Sequence, residues 1–131
     1  MTTVAPGSTT STPAPACTPA QIQVTATASR PSYGPGENAE VTTVFRNRSS
    51  AACSYNGYTV EFTFKDVAGK AFAGASIVAD TFGPVPLPAG ATLTHTEAWR
   101  HIFQPAGLHT GTAVWSVAGN RYEATASFQL M

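Results

Sequence analysis

Val60, Phe62 and Phe64 alternate with Glu61, Thr63 and Lys65 in the stretch Tyr58-Thr-Val-Glu-Phe-Thr-Phe-Lys-Asp-Val-Ala-Gly69. A period of two puts the large apolar side chains on one face and the wet ones on the other, the signature of a half-buried strand. Asp66-Val-Ala-Gly69 then supplies turn residues, with Gly69 able to take a left-handed backbone at little cost. One apolar face needs another to cover it, so this stretch commits the chain to a layered β architecture.

The flanking sequence repeats the pattern. Ile22, Val24 and Ala26 alternate with polar neighbours in a strand over about 21–29. Pro35-Gly36 fits the central positions of a type II turn, and 40–47 forms a second strand. Residues 47–57 form a long polar connection before the Tyr58 strand. Further strands are expected over 70–79, 91–100 (with Leu93 and Trp99 inward), 108–117 and 122–130, the last two joined by Gly119-Asn120 as a II′ hairpin. Thr81-Phe-Gly-Pro-Val-Pro-Leu-Pro-Ala-Gly90 interrupts the series. Proline fixes φ and removes backbone donors, so this segment reads as a stiff extended loop outside any ladder. No stretch shows helical apolar spacing. About seven strands separated by turns make an all-β, immunoglobulin-like antiparallel β-sandwich the expected architecture.

A chain of 131 residues has material for one core. Charged residues make up only 11%, against about 25% in an average globular protein. Thr, Ser, Ala, Gly and Pro take their place, a composition common in secreted bacterial domains. The formal net charge is zero and the seven cations are scattered. No basic stripe collects phosphates, so nucleic acid is not an expected partner, and no apolar run is long enough to insert in a membrane.

Residues 1–19 are low-complexity Thr/Ser/Pro/Ala and read as a disordered linker or stalk, leaving 20–131 as the domain. No charged and apolar leader precedes the stalk, so an export signal is expected outside this segment. Cys17 and Cys53 fit no zinc or redox spacing. A disulfide tying the stalk to the body is the economical reading, two separate buried thiols the alternative. In the chain-entropy model such a bridge contributes roughly 4 kcal/mol, and it places the protein in an oxidising, extracytoplasmic compartment.

The order of signals resembles a known family. Tyr33-Gly-Pro-Gly-Glu37 precedes a strand ending in Asn47, and Val60-Glu-Phe-Thr-Phe-Lys-Asp66 is followed by Gly69. Leu87-Pro-Ala-Gly90 then leads into a strand ending at Trp99, and Pro105-Ala-Gly107 leads into the closing hairpin. Over about 21–130 this resembles the BsuPI-like domains, named for the intracellular proteinase inhibitor of Bacillus. The resemblance implies an immunoglobulin-like fold and a non-enzymatic, proteinase-inhibitor-like binding module.

Catalytic signals are missing from the sequence itself. No GxSxG elbow occurs and the seven carboxylates show no pairing, so no enzyme, cofactor or metal is expected. His95, His101 and His109 could approach one another on neighbouring strands, but zinc needs three or four converging ligands, and a surface histidine on each strand is the plainer reading. Trp115 and Trp99 are each either a core anchor or a ligand contact. Asn47-Arg-Ser49 matches the N-glycosylation pattern, a frequent chance match.

The proline loop is the sharpest candidate for binding, with Phe82, Val85 and Leu87 as apolar anchors stiffened by Pro86 and Pro88. It serves either as a protease-resistant plug or as a crossover between sheets. The expectation is a monomeric, non-catalytic protein-binding module outside the cytoplasm, its partner a protease or cell-envelope protein. The alternative is a structural or adhesive module of a cell envelope or virion.

Overall fold

The computed structural model describes residues 14–100 and 105–131. A 3-10 turn at Pro19–Gln21 leads into ten strands: β1 (Ile22–Ala28), β2 (Ser32–Tyr33), β3 (Asn38–Asn47), β4 (Cys53–Tyr55), β5 (Tyr58–Lys65), β6 (Ala71–Ala79), β7 (Val85–Leu87), β8 (Thr92–Arg100), β9 (Gly107–Val117) and β10 (Asn120–Leu130). One sheet runs β1-β3-β8 and the facing sheet β2-β10-β9-β5-β6, while β4 and β7 form a separate two-stranded ribbon. The chain is an all-β, immunoglobulin-like sandwich. The three strands beyond the expected seven are β2, β4 and β7, each of two or three residues.

The Tyr58 strand lies inside its sheet, between β6 and β9. Val60, Phe62 and Phe64 are buried, while Glu61 and Lys65 face water. Ala39, Val41 and Phe45 of β3 bury the opposite layer. Trp115 of β9 is fully buried and joins the layers, its ring centroid 5.1 Å from that of Phe45. The sheets approach closely at Gly111, where an added Cβ would sit 2.8 Å from Val41 Cγ2. The outer faces replace charge with hydroxyl pairs across strands, Thr42 with Thr96 at 2.8 Å and Thr112 with Thr125 at 2.9 Å.

The first turn forms as its sequence dictates: Glu37 N–H donates to Gly34 O at 3.1 Å and Gly36 takes φ 81°. The last hairpin differs. Val117 pairs with Asn120, so the loop is Ala118-Gly119, both left-handed at φ 52° and 78°. That is a type I′ turn, whose twist matches the flanking strands. Alternation alone permits either register; the one that packs sets Tyr122 across from Trp115.

The ordered body reaches back into the Thr/Pro segment. Cys17 is buried and bonded to Cys53. Cys17 N–H donates to Ser54 O at 2.9 Å, and Ser54 N–H to Pro15 O at 2.9 Å. The remainder of the proposed stalk, residues 1–13, lies outside the described residues.

Candidate protein-binding surface

The proline segment divides into two parts. Its second half pairs as a strand: Val85, Pro86 and Leu87 of β7 lie opposite Tyr55, Ser54 and Cys53 of β4. This corrects the expectation of a loop outside any ladder. Proline is tolerated because the ribbon belongs to neither main sheet, so Pro86 interrupts no interior ladder. Leu87 is not a projecting anchor: it is 3% exposed, next to the disulfide, and belongs to the core. Val85 is half-buried, and Pro86 and Pro88 are exposed.

Phe82 does project. Its relative exposure of 113% marks a ring that none of the described residues covers. The backbone beneath it is tied down. Thr81 Oγ1 donates to Gly83 O at 2.9 Å and contacts Asn56 Oδ1 at 3.2 Å, joining the loop to the residue after β4. The disulfide and the Pro15–Ser54 bonds fix the far side of the same ribbon. An apolar side chain on a rigid base loses little entropy on association, which makes it an effective anchor.

A strip of half-buried aromatic residues leads away from the ribbon. Val85 pairs with Tyr55, whose ring lies 5.7 Å from Tyr58. Tyr58 O–H shares a 2.7 Å hydrogen bond with His95 Nε2, and both rings rest on Trp115 at 5.2 and 5.6 Å. Burial, together with Tyr55 nearby, pushes the Tyr58 phenol above its ordinary range. This strip was not legible in the sequence. Alternation places Tyr58 and His95 on inward faces, but their meeting depends on how the two sheets stack.

The other candidate residues take structural roles. His109 is buried, with Nδ1 3.0 Å from Gly107 O and no partner for Nε2 among the described residues, its ring between Phe72 and Phe128. This corrects its reading as a surface residue. It follows from strand parity, which turns His109 to the same face as Trp115. His101 lies outside the described residues. Among the described residues no three His, Cys, Asp or Glu side chains gather as metal ligands. Trp115 is a core anchor, and half-buried Trp99 packs on Phe72 at 4.6 Å.

Asn47 is fully buried. Its Nδ2 donates to Ala51 O at 2.8 Å and Leu87 O at 2.9 Å, while its Oδ1 accepts from Ser49 N–H at 3.0 Å. It clamps the polar connection to the proline ribbon. Among the described residues no helix is long and apolar enough to cross a membrane.

No protein-family model matches the chain, and no curated protein matches it in sequence. Solved structures share its fold. A CARDB domain from Pyrococcus furiosus, solved with di-metal ions, aligns with TM-score 0.52 at 14% identity over 84% of this chain and 89% of that one. The C-terminal domain of wzt aligns with TM-score 0.54 at 7% identity over 85% of this chain and 74% of that one. An alkylpurine DNA glycosylase from Pseudomonas fluorescens aligns with TM-score 0.48 at 17% identity over 84% of this chain, which spans only 30% of that enzyme. Such likenesses concern the sandwich alone.

Proposed function

We propose that this protein is a non-catalytic, extracytoplasmic protein-binding module, proteinase-inhibitor-like as its resemblance to BsuPI-like domains implies, with Phe82 as its principal anchor. The observation that carries this reading is a fully exposed phenylalanine on a loop that Thr81 joins to Asn56 on one side and that runs into the paired strand β7 on the other. Val85 and the Tyr55–Tyr58–His95 strip extend the surface with half-buried aromatic area of the kind enriched at protein interfaces. The disulfide supports an oxidising compartment. In protein purified without reductant, thiol counting under denaturing conditions should find no free thiol.

The reading is tested against a panel of subtilisin-type proteases, measuring inhibition and binding by calorimetry. Binding by at least one protease, weakened roughly thirtyfold or more by Phe82→Ser with the melting temperature unchanged, is the expected result. If no protease is inhibited or bound, the inhibitor version fails. Binding indifferent to Phe82→Ser removes the loop from the site.

A further inference from the structure

Asn56 and Gly57 are the two residues between β4 and β5, and they form the only Asn-Gly pair in the chain. Glycine is compulsory there. Its φ is 76°, and an added Cβ would sit 3.0 Å from Ala79 O. The other asparagines, Asn38, Asn47 and Asn120, precede alanine or arginine.

An asparagine amide carbon is an electrophile, and the backbone nitrogen of the next residue is the nucleophile closest to it along the chain. Two features ordinarily keep them apart: a side chain on the following residue, and a hydrogen bond holding its N–H. Gly57 has no side chain, and its N–H makes no hydrogen bond among the described residues. Asn56 is exposed and belongs to no strand, so water reaches the amide and no ladder resists a local movement. The other sites differ. Asn47 is buried with both amide hydrogens bonded, and Asn38 and Asn120 stand in ladders opposite Arg100 and Val117.

We infer that Asn56-Gly57 is a site of spontaneous deamidation, a modification that alters the surface around Phe82 as the protein ages. Gly57 N gives its proton to hydroxide and attacks Asn56 Cγ. The N–Cγ bond forms and the Cγ–Nδ2 bond breaks. Nδ2 leaves as ammonia, taking a proton from water and regenerating hydroxide. Water then opens the cyclic succinimide on either side. Addition at Cγ gives aspartate, and addition at the backbone carbonyl carbon gives isoaspartate, whose chain runs through Cβ and Cγ. The net change consumes water and releases ammonia.

The two products act differently on the fold. Aspartate keeps an oxygen at the position of Oδ1, 3.2 Å from Thr81 Oγ1. Isoaspartate carries its carboxylate on Cα and adds a backbone carbon to the short connection. That connection separates Tyr55 from Tyr58, whose rings lie 5.7 Å apart, and Thr81 is the neighbour of Phe82. Isoaspartate therefore releases the Thr81 tie and displaces the aromatic strip. The chemistry does not depend on a binding role for that surface, so either reading can fail alone.

The test is incubation of the folded protein in mildly alkaline buffer, beside the same protein in guanidinium chloride, followed by peptide mass spectrometry. The Asn56 peptide should gain the mass difference between an amide and an acid before Asn38, Asn47 or Asn120 changes, and enzymatic methylation should detect isoaspartate. Because the site needs no opening of the fold, the folded rate should lie within roughly tenfold of the denatured rate. Asn56→Ser should abolish this early gain. The isoaspartate form, separated by ion exchange, should melt about 4 °C or more below Asn56→Asp, which carries the same added charge. A folded rate slower than that bound overturns the inference, as does earlier conversion at another asparagine. An isoaspartate form that melts together with Asn56→Asp overturns its effect on the surface.

Discussion

Trp115 of β9 donates its indole N–H to Thr43 Oγ1 of β3 at 2.9 Å, across the middle of the sandwich. Thr43 passes the connection on, its hydroxyl donating to Thr25 O of β1 at 2.8 Å. One buried hydroxyl therefore links both sheets and two strands of the smaller one. Replacing it with a methyl group of the same shape leaves the indole donor unpaired in an apolar core. Thr43→Val should cost about 1–3 kcal/mol in urea unfolding. Trp115→Phe in the Thr43→Val background should cost less than in the wild type, because the orphaned N–H is gone. Additive losses would show that the bond contributes nothing specific.

Ala118 occupies a left-handed conformation at φ 52° in a two-residue type I′ turn. Its Cβ makes that conformation unfavourable, whereas asparagine tolerates it and favours this turn type. Ala118→Asn should raise stability by about 0.5–1 kcal/mol, and Ala118→Val should lower it. Thermal melts of the two variants against wild type check the sign.

Burial pushes the Tyr122 phenol above its ordinary range, and Asn120 nearby only partly offsets this. The hydroxyl is buried and makes no hydrogen bond among the described residues. An unfolded phenol ionises near pH 10, so the folded state holds this proton more tightly than the unfolded one. The resulting stability is fully present below about pH 10 and is lost as pH rises beyond it. Tyr122→Phe should flatten that alkaline decline, measured by denaturant titration at pH 9 to 11. At neutral pH it should be neutral or stabilising by about 1 kcal/mol, because it removes an unpaired polar atom.

Asn47 donates both amide hydrogens to backbone carbonyls, Ala51 O and Leu87 O. Asn47→Asp turns those donors into a buried carboxylate facing two acceptors, and should cost about 3 kcal/mol or more in chemical unfolding. The same burial closes the Asn47-Arg-Ser49 pattern in the folded protein. Mass spectrometry of folded protein incubated with an oligosaccharyltransferase should find Asn47 unmodified.

Removing the Cys17–Cys53 bridge, which spans 36 residues, should lower stability by roughly 4 kcal/mol with both cysteines changed to serine. The loss should be uneven. Hydrogen exchange at the Ser54 amide, bonded to Pro15 O, should accelerate far more than at Phe62 in β5, inside the larger sheet.

Alternation is a local property, so the sequence by itself determined which face of each long strand turns inward. Val60, Phe62 and Phe64, and later Trp115 and Val117, are buried as their spacing requires. The Pro35-Gly36 turn was equally local, because proline and glycine set its dihedrals without help from the rest of the chain. Tertiary structure decided what depends on distant partners. β4 and β7 are too short to show a period, and they exist because the disulfide and Asn47 hold them together. That ribbon draws Leu87 inward and leaves Phe82 in water. His95 meets Tyr58, and Trp115 meets Thr43, only because two sheets distant in sequence stack in one alignment. Strand spacing tells each side chain which way to face, and packing between the sheets decides what it finds there.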